Sequence, residues 1–114
     1  MATVNPVRSS ANVGIDVILW EACATGDTIN ADQPAGMSPL AGSVQFTGTF
    51  GGATVTLTGS NDGTNFVTLT DPTGSDISVT SAGMVEFSTS CRYIKPGISG
   101  GTGDDVDVTV VLRG

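Results

Sequence analysis

Two cysteines, Cys23 and Cys91, eleven acidic residues and no histidine make up the reactive inventory of this sequence. Without histidine, the Ser-His and Cys-His pairs that activate a nucleophile cannot be assembled. Zinc sites of the usual His and Cys type are closed off as well. Two carboxylates working as acid and base need one of them in a pocket. The only glutamates, Glu21 and Glu86, fall inside alternating stretches and are expected to point outward. Hard oxygen ligands are plentiful at Asp62, Asp71, Asp76, Asp104, Asp105 and Asp107. Their order does not follow a calcium loop, which requires oxygens at alternate positions, a glycine and a distal glutamate. In "GDDVD", Asp105 and Asp107 alternate with Val106 and Val108, as an exposed strand face would. Cys91 beside Arg92 has the setting of a reactive thiol, but a buried or half-buried thiol in "CRYIKP" is the plainer reading. "GISGGTG" (97–103) lacks the Lys-Ser/Thr pair of a phosphate loop and reads as a turn before the last strand. The expectation is a protein that is not an enzyme, with no metal and no cofactor.

The elements that must position these residues are strands. Short runs rich in Val and Thr alternate between apolar and polar, and Gly, Pro, Ser, Asn and Asp punctuate them. "SVQFTGTF" sets Val44, Phe46 and Phe50 against Gln45, Thr47 and Thr49; "ATVTLTG" sets Ala53, Val55 and Leu57 against three threonines. Val67 and Leu69, Ile77 and Val79, and Val85 and Phe87 continue the pattern. "DVDVTVVLRG" turns Val106, Val108, Val110 and Leu112 inward. "GIDVILWEA" is apolar on both faces, as a central or interface strand would be. Seven or eight such strands with no helical crossover predict an all-β, antiparallel sandwich or barrel. In "GSNDGTNFVTLTDPTG" (59–74), Asn61-Asp62-Gly63 is a hairpin turn with Gly63 at positive φ, and Asp71 to Gly74 is a second turn.

At 114 residues the chain suits one domain with a modest core. Residues 1–13 read as an extended N-terminal arm, polar and interrupted by Pro6, followed by a sandwich over 14–114. Residues 24–42 form the longest loop candidate. Trp20 has two readings, an exposed aromatic at an interface or an anchor of the core. The net charge of −7, with Arg8, Arg92, Lys95 and Arg113 scattered, argues against nucleic acid and against anionic membranes. No basic and apolar leader and no membrane-length apolar run are seen, so synthesis in a reducing cytoplasm with free thiols is expected.

Taken together, "GTFGGATVTLTGSNDGTNFVTLTDPTG" and "CRYIKPGISGGTGDDVDVTVVL" resemble small head decoration, or cement, proteins of tailed bacteriophages and their close relatives. The likeness covers roughly positions 40–112 in strand-and-turn pattern. The hairpin alone is also similar to one in discoidin-like sandwiches. The resemblance implies a β-sandwich or jelly-roll-like domain on the exterior of an assembled capsid. Its partner would be the major capsid protein, and its own state a homotrimer. The assembly contacts would come from the arm and the long loop, with candidate interface residues Val4, Pro6, Val7, Arg8, Trp20, Pro34, Met37, Pro39 and Leu40. The alternative is a carbohydrate- or receptor-binding module of a phage tail or baseplate, which needs an aromatic platform that few aromatics can supply.

Overall fold

Alternation between inward apolar and outward polar residues, read along each strand, generates two sheets whose apolar faces meet. The computed structural model describes residues 2–12, 15–33, 40–89 and 91–113. Its strands are β1 (Thr3–Val4), β2 (Val7–Asn12), β3 (Ile15–Cys23), β4 (Thr28–Ile29), β5 (Leu40–Thr49), β6 (Thr54–Ser60), β7 (Val67–Thr68), β8 (Ser78–Val79), β9 (Gly83–Thr89), β10 (Tyr93–Ser99) and β11 (Asp105–Arg113). The first sheet has five strands in the order β2-β3-β11-β5-β9, all antiparallel. The second has β6 at its centre, with β10 on one edge and β7 and β8 sharing the other. β1 and β4 form a small parallel pair, and the Asp32–Ile94 bridge ties the chain after β4 to β10. The protein is an all-β antiparallel sandwich in one domain. Its radius of gyration is 13.1 Å, against about 13 Å for a folded chain of this length.

The core lies between the sheets. Ile18, Trp20, Val44, Phe46, Phe87, Val106, Val108, Val110 and Leu112 come from the first sheet, and Val55, Leu57 and Ile94 from the second. The alternation in β6 and β11 therefore points as expected. Fully burying each such aliphatic contributes roughly 1.5–3 kcal/mol, so this layer holds the sheets together. The indole N–H of Trp20 donates to the Asn30 carbonyl at 2.8 Å, so burial leaves its one polar group satisfied.

The N-terminal residues differ from the expected arm. β2 pairs antiparallel with β3 along Val7–Leu19, Arg8–Ile18 and Ser9–Val17, and β1 pairs with β4. The segment is thus an edge of the sandwich. Pro6 hid this by separating a two-residue strand from β2, whose VRSSAN sequence has too few apolar residues to show an alternating pattern. The boundary at 13/14 itself lies outside the described residues. The long 24–42 stretch also carries more structure than a loop, with β4 and the Asp32 bridge inside it; residues 34–39 are outside the described residues. Among the described residues eleven strands replace the expected seven or eight, because β1, β2 and β4 form in the segments read as arm and loop.

The hairpin of residues 59–68 is present. Gly63 has φ +79°, and β6 and β7 pair through Thr58–Thr68 and Gly59–Val67. Val67, expected inside, is 67% exposed. β7 ends after two residues, so it is Leu69 that packs against the core.

Candidate docking face

Outward residues of the first sheet build a continuous surface. Register places Val7, Leu19, Thr109, Gln45 and Met84 in one row across the five strands. The next row runs Val17, Val111, Ser43 and Glu86. Val7 is 59% exposed and Met84 61%, while Val17, Leu19 and Val111 are half-buried. Val7 and Met84 stand at the two ends of the first row, on the edge strands β2 and β9, with half-buried Leu19 and the polar Thr109 and Gln45 between them, so one face carries two large apolar side chains open to water. Beside Met84 the surface dips into an open groove of about 690 Å³, lined among others by Ala41, Ser43, Pro72, Met84, Glu86 and Val111. Gly42 makes the groove floor. A Cβ there would run into the Val111 carbonyl oxygen and stand 2.8 Å from its carbon, so only glycine lets β5 lie this close to β11. Glu86 is exposed and, among the described residues, makes no ion pair.

The candidate interface residues fall in different places. Val7 lies on this face. Val4 is 7% exposed and Trp20 fully buried, so neither is available to a partner; the core reading of Trp20 holds because its apolar body fits between the sheets. Pro6 is half-buried. Arg8 points to the opposite side of the sheet edge, where it pairs with Asp16 at 2.9 Å and with Asp32. Partial burial alone would lower the Arg8 pKa, but Asp32 and then Asp16 hold it above its ordinary value. Pro34, Met37 and Pro39 lie outside the described residues, as does the side chain of Leu40, whose backbone opens β5.

The acidic residues serve their own loops. Asp62 accepts from the Thr64 and Asn65 N–H groups at 2.8 Å each, from the Asn65 amide and from the Ser60 hydroxyl. These bonds, the Asn65 N–H foremost, hold its carboxyl well below the usual range. Asp71 is likewise held low, chiefly by the Thr73 hydroxyl and then by the Ser75 N–H. Asp104 is buried and takes the Thr25 hydroxyl at 2.7 Å and the Thr25 N–H at 2.9 Å. The Thr25 hydroxyl outweighs the opposing effect of burial and keeps Asp104 ionised to low pH. Asp107 caps the Ala22 N–H at 2.9 Å, where β3 bulges between Trp20 and Cys23 and Ala22 takes φ +56°. Among the described residues no three potential ligands converge on a metal position. Glu21 and Glu86 are exposed, as expected.

Both thiols are free. Burial, then Asp27, Asp107 and Asp105, push the Cys23 thiol up to about 12, which leaves it protonated and inert. Cys91 is half-buried, accepts from the Thr89 hydroxyl at 2.9 Å and donates to the Tyr93 carbonyl at 3.4 Å. On the second sheet, Arg92 stands 5.1 Å from the Tyr93 ring centre and Lys95 4.5 Å from that of Phe66. Each of these rings thus has a cation over it, at a distance where such contacts attract.

Sequence reasoning missed the docking face as a unit, although "MVEFS", with Val85 and Phe87 inward, already turned Met84 and Glu86 outward. What brings Val7, Leu19, Val111 and Met84 together is strand order, which no local pattern encodes. Comparison of the chain with protein-family models, curated proteins and solved structures finds no match.

Proposed function

We propose that the protein is a structural docking subunit, a jelly-roll-like decoration protein that binds the outside of an assembled phage head as a homotrimer and stabilises the shell. The observation that carries the reading is the outer face of the first sheet, with Val7 and Met84 exposed, Leu19 half-buried between them, and the groove beside Met84. The strand-and-turn resemblance over 40–112 supplies the class of partner, the major capsid protein. Five strands about 4.8 Å apart and some eight residues long offer on the order of 600 Å² per subunit. That is at the low end for a stable interface. A single subunit should bind weakly, and tight occupancy should require an assembled shell that presents several contacts at once. The carbohydrate-binding alternative loses ground because Trp20 is buried and the Tyr93 and Phe66 rings each have a cation over them.

The experiment is co-sedimentation with expanded empty phage heads and, separately, with unassembled major capsid protein. Saturable binding to heads and little to free subunits is expected. Binding to neither would overturn the proposal.

A further inference from the structure

β9 ends the first sheet. Its backbone pairs only with β5, in unbroken register from Gly83–Phe46 to Thr89–Leu40. Among the described residues no other backbone group bonds to it. The strand is seven residues long, without proline and without a bulge. Those are devices by which sheet edges are usually kept from pairing. Its outward side chains are Met84, Glu86 and Ser88, which form one wall of the groove, with Pro72 at the groove's margin. Among the described residues, Glu86 is the only charged one lining that groove. A carboxylate with no ion pair among the described residues, set among Met84, Pro72, Ala41 and Val111, calls for a cation carried on an apolar stem. A lysine or arginine side chain has that form.

We infer that β9 receives an extended segment of a protein partner as a sixth strand, with a lysine or arginine opposite Glu86 and apolar residues two positions to either side. The backbone of such a strand supplies affinity, and the alternate side chains supply selection. An opposite-charge pair across the ladder favours the basic residue, whereas an acidic one there is repelled. A second copy of this chain fits poorly. Two β9 edges would bring like carboxylates towards one another, on a chain whose net charge is already −7. The inference rests on the reading of the first sheet's outer face as a docking face, and it names the chemistry of what docks.

The probe is the blocked heptapeptide Thr-Val-Thr-Lys-Thr-Val-Thr, which places Val, Lys and Val on one side of a strand. It is titrated into the full-length ¹⁵N-labelled protein while amide shifts and hydrogen exchange are followed. The Lys peptide should shift and protect amides of Gly83–Thr89, and the same peptide with Glu at its centre should bind about fivefold more weakly. Glu86→Lys should reverse that preference, and a central proline should abolish binding. Equal binding of the Lys and Glu peptides, perturbation centred on other strands, or no perturbation at millimolar peptide would each overturn the inference. The peptide result is independent of heads. If the Lys peptide binds at β9 while heads stay undecorated, the decoration reading fails and the β9 edge stands; decorated heads with a silent β9 give the reverse.

Discussion

Replacing Gly42 with alanine tests whether the groove floor is set by backbone contact. The new methyl would overlap the Val111 carbonyl oxygen and press on the Leu112 Cα at 3.0 Å. Both are backbone atoms of the neighbouring strand, so no side chain can rotate away. β5 and β11 must part, which costs about 1–3 kcal/mol of overpacking and one or two ladder hydrogen bonds at about 1 kcal/mol each. The expected loss is about 3–4 kcal/mol, a large share of the roughly 5–15 kcal/mol that holds a small domain folded. In a thermal melt this lowers Tm by roughly 10–15 °C. Gly83→Ala is the control. Gly83 also lies in a paired antiparallel strand, but a Cβ there meets nothing within 4 Å. Its melt should stay within about 3 °C of the parent, with any shift upward from reduced unfolded-state freedom. If the two variants melt together, β5 and β11 are not pinched at Gly42 and the groove has another floor.

Further outcomes follow from the same structure. Gly63→Val should cost about 1–2 kcal/mol, because φ there is +79° and a Cβ would press on the Tyr93 ring at 3.2 Å; an unchanged melt would remove the hairpin assignment. Deleting residues 2–12 takes away β1 and β2, the burial of Val4 and the Arg8 pairs, so a loss of about 3–5 kcal/mol is expected rather than the silence of a free arm. Asp62, Asp71 and Asp104 have folded pKa values below their unfolded value of about 3.9. Their contribution is therefore complete above that pH and is lost as pH falls through the folded values. Urea midpoints should drop steadily below about pH 4, and Asp104→Asn should make that drop shallower; an unaltered acid limb would show that Thr25 does not stabilise the carboxylate.

Much of the fold was legible in the sequence because sandwich strands alternate with a period that a one-dimensional pattern preserves. Val55 and Leu57, or Val106 to Leu112, could face only one way. The Asn61-Asp62-Gly63 turn was legible because its chemistry is local. Three things were not. β1 is too short and β2, VRSSAN, too polar to show a period, and Val7 finds its partner Leu19 only after the chain doubles back. Asp104 read as one of a row of solvated acids, and only the approach of Thr25, 79 residues away in sequence, makes it an anchor. The docking face is assembled by strand order from single exposed residues, each unremarkable in its own strand. Trp20 was open to two readings because its strand is apolar on both faces; its full burial between the sheets decides for the core, and the Asn30 carbonyl satisfies its indole N–H.

Occupancy of expanded empty heads by the parent protein, by Met84→Asp and by Lys95→Glu, measured side by side, tests the central claim most directly. Met84 is exposed on the outer face of the first sheet, whereas Lys95 lies on the other sheet over Phe66. All three should fold to the same β spectrum. The parent and Lys95→Glu should decorate heads to similar occupancy, and Met84→Asp should lose most of its binding by burying an unpaired carboxylate at the contact. Full decoration by Met84→Asp, or loss confined to Lys95→Glu, would place the contact elsewhere and contradict the docking face.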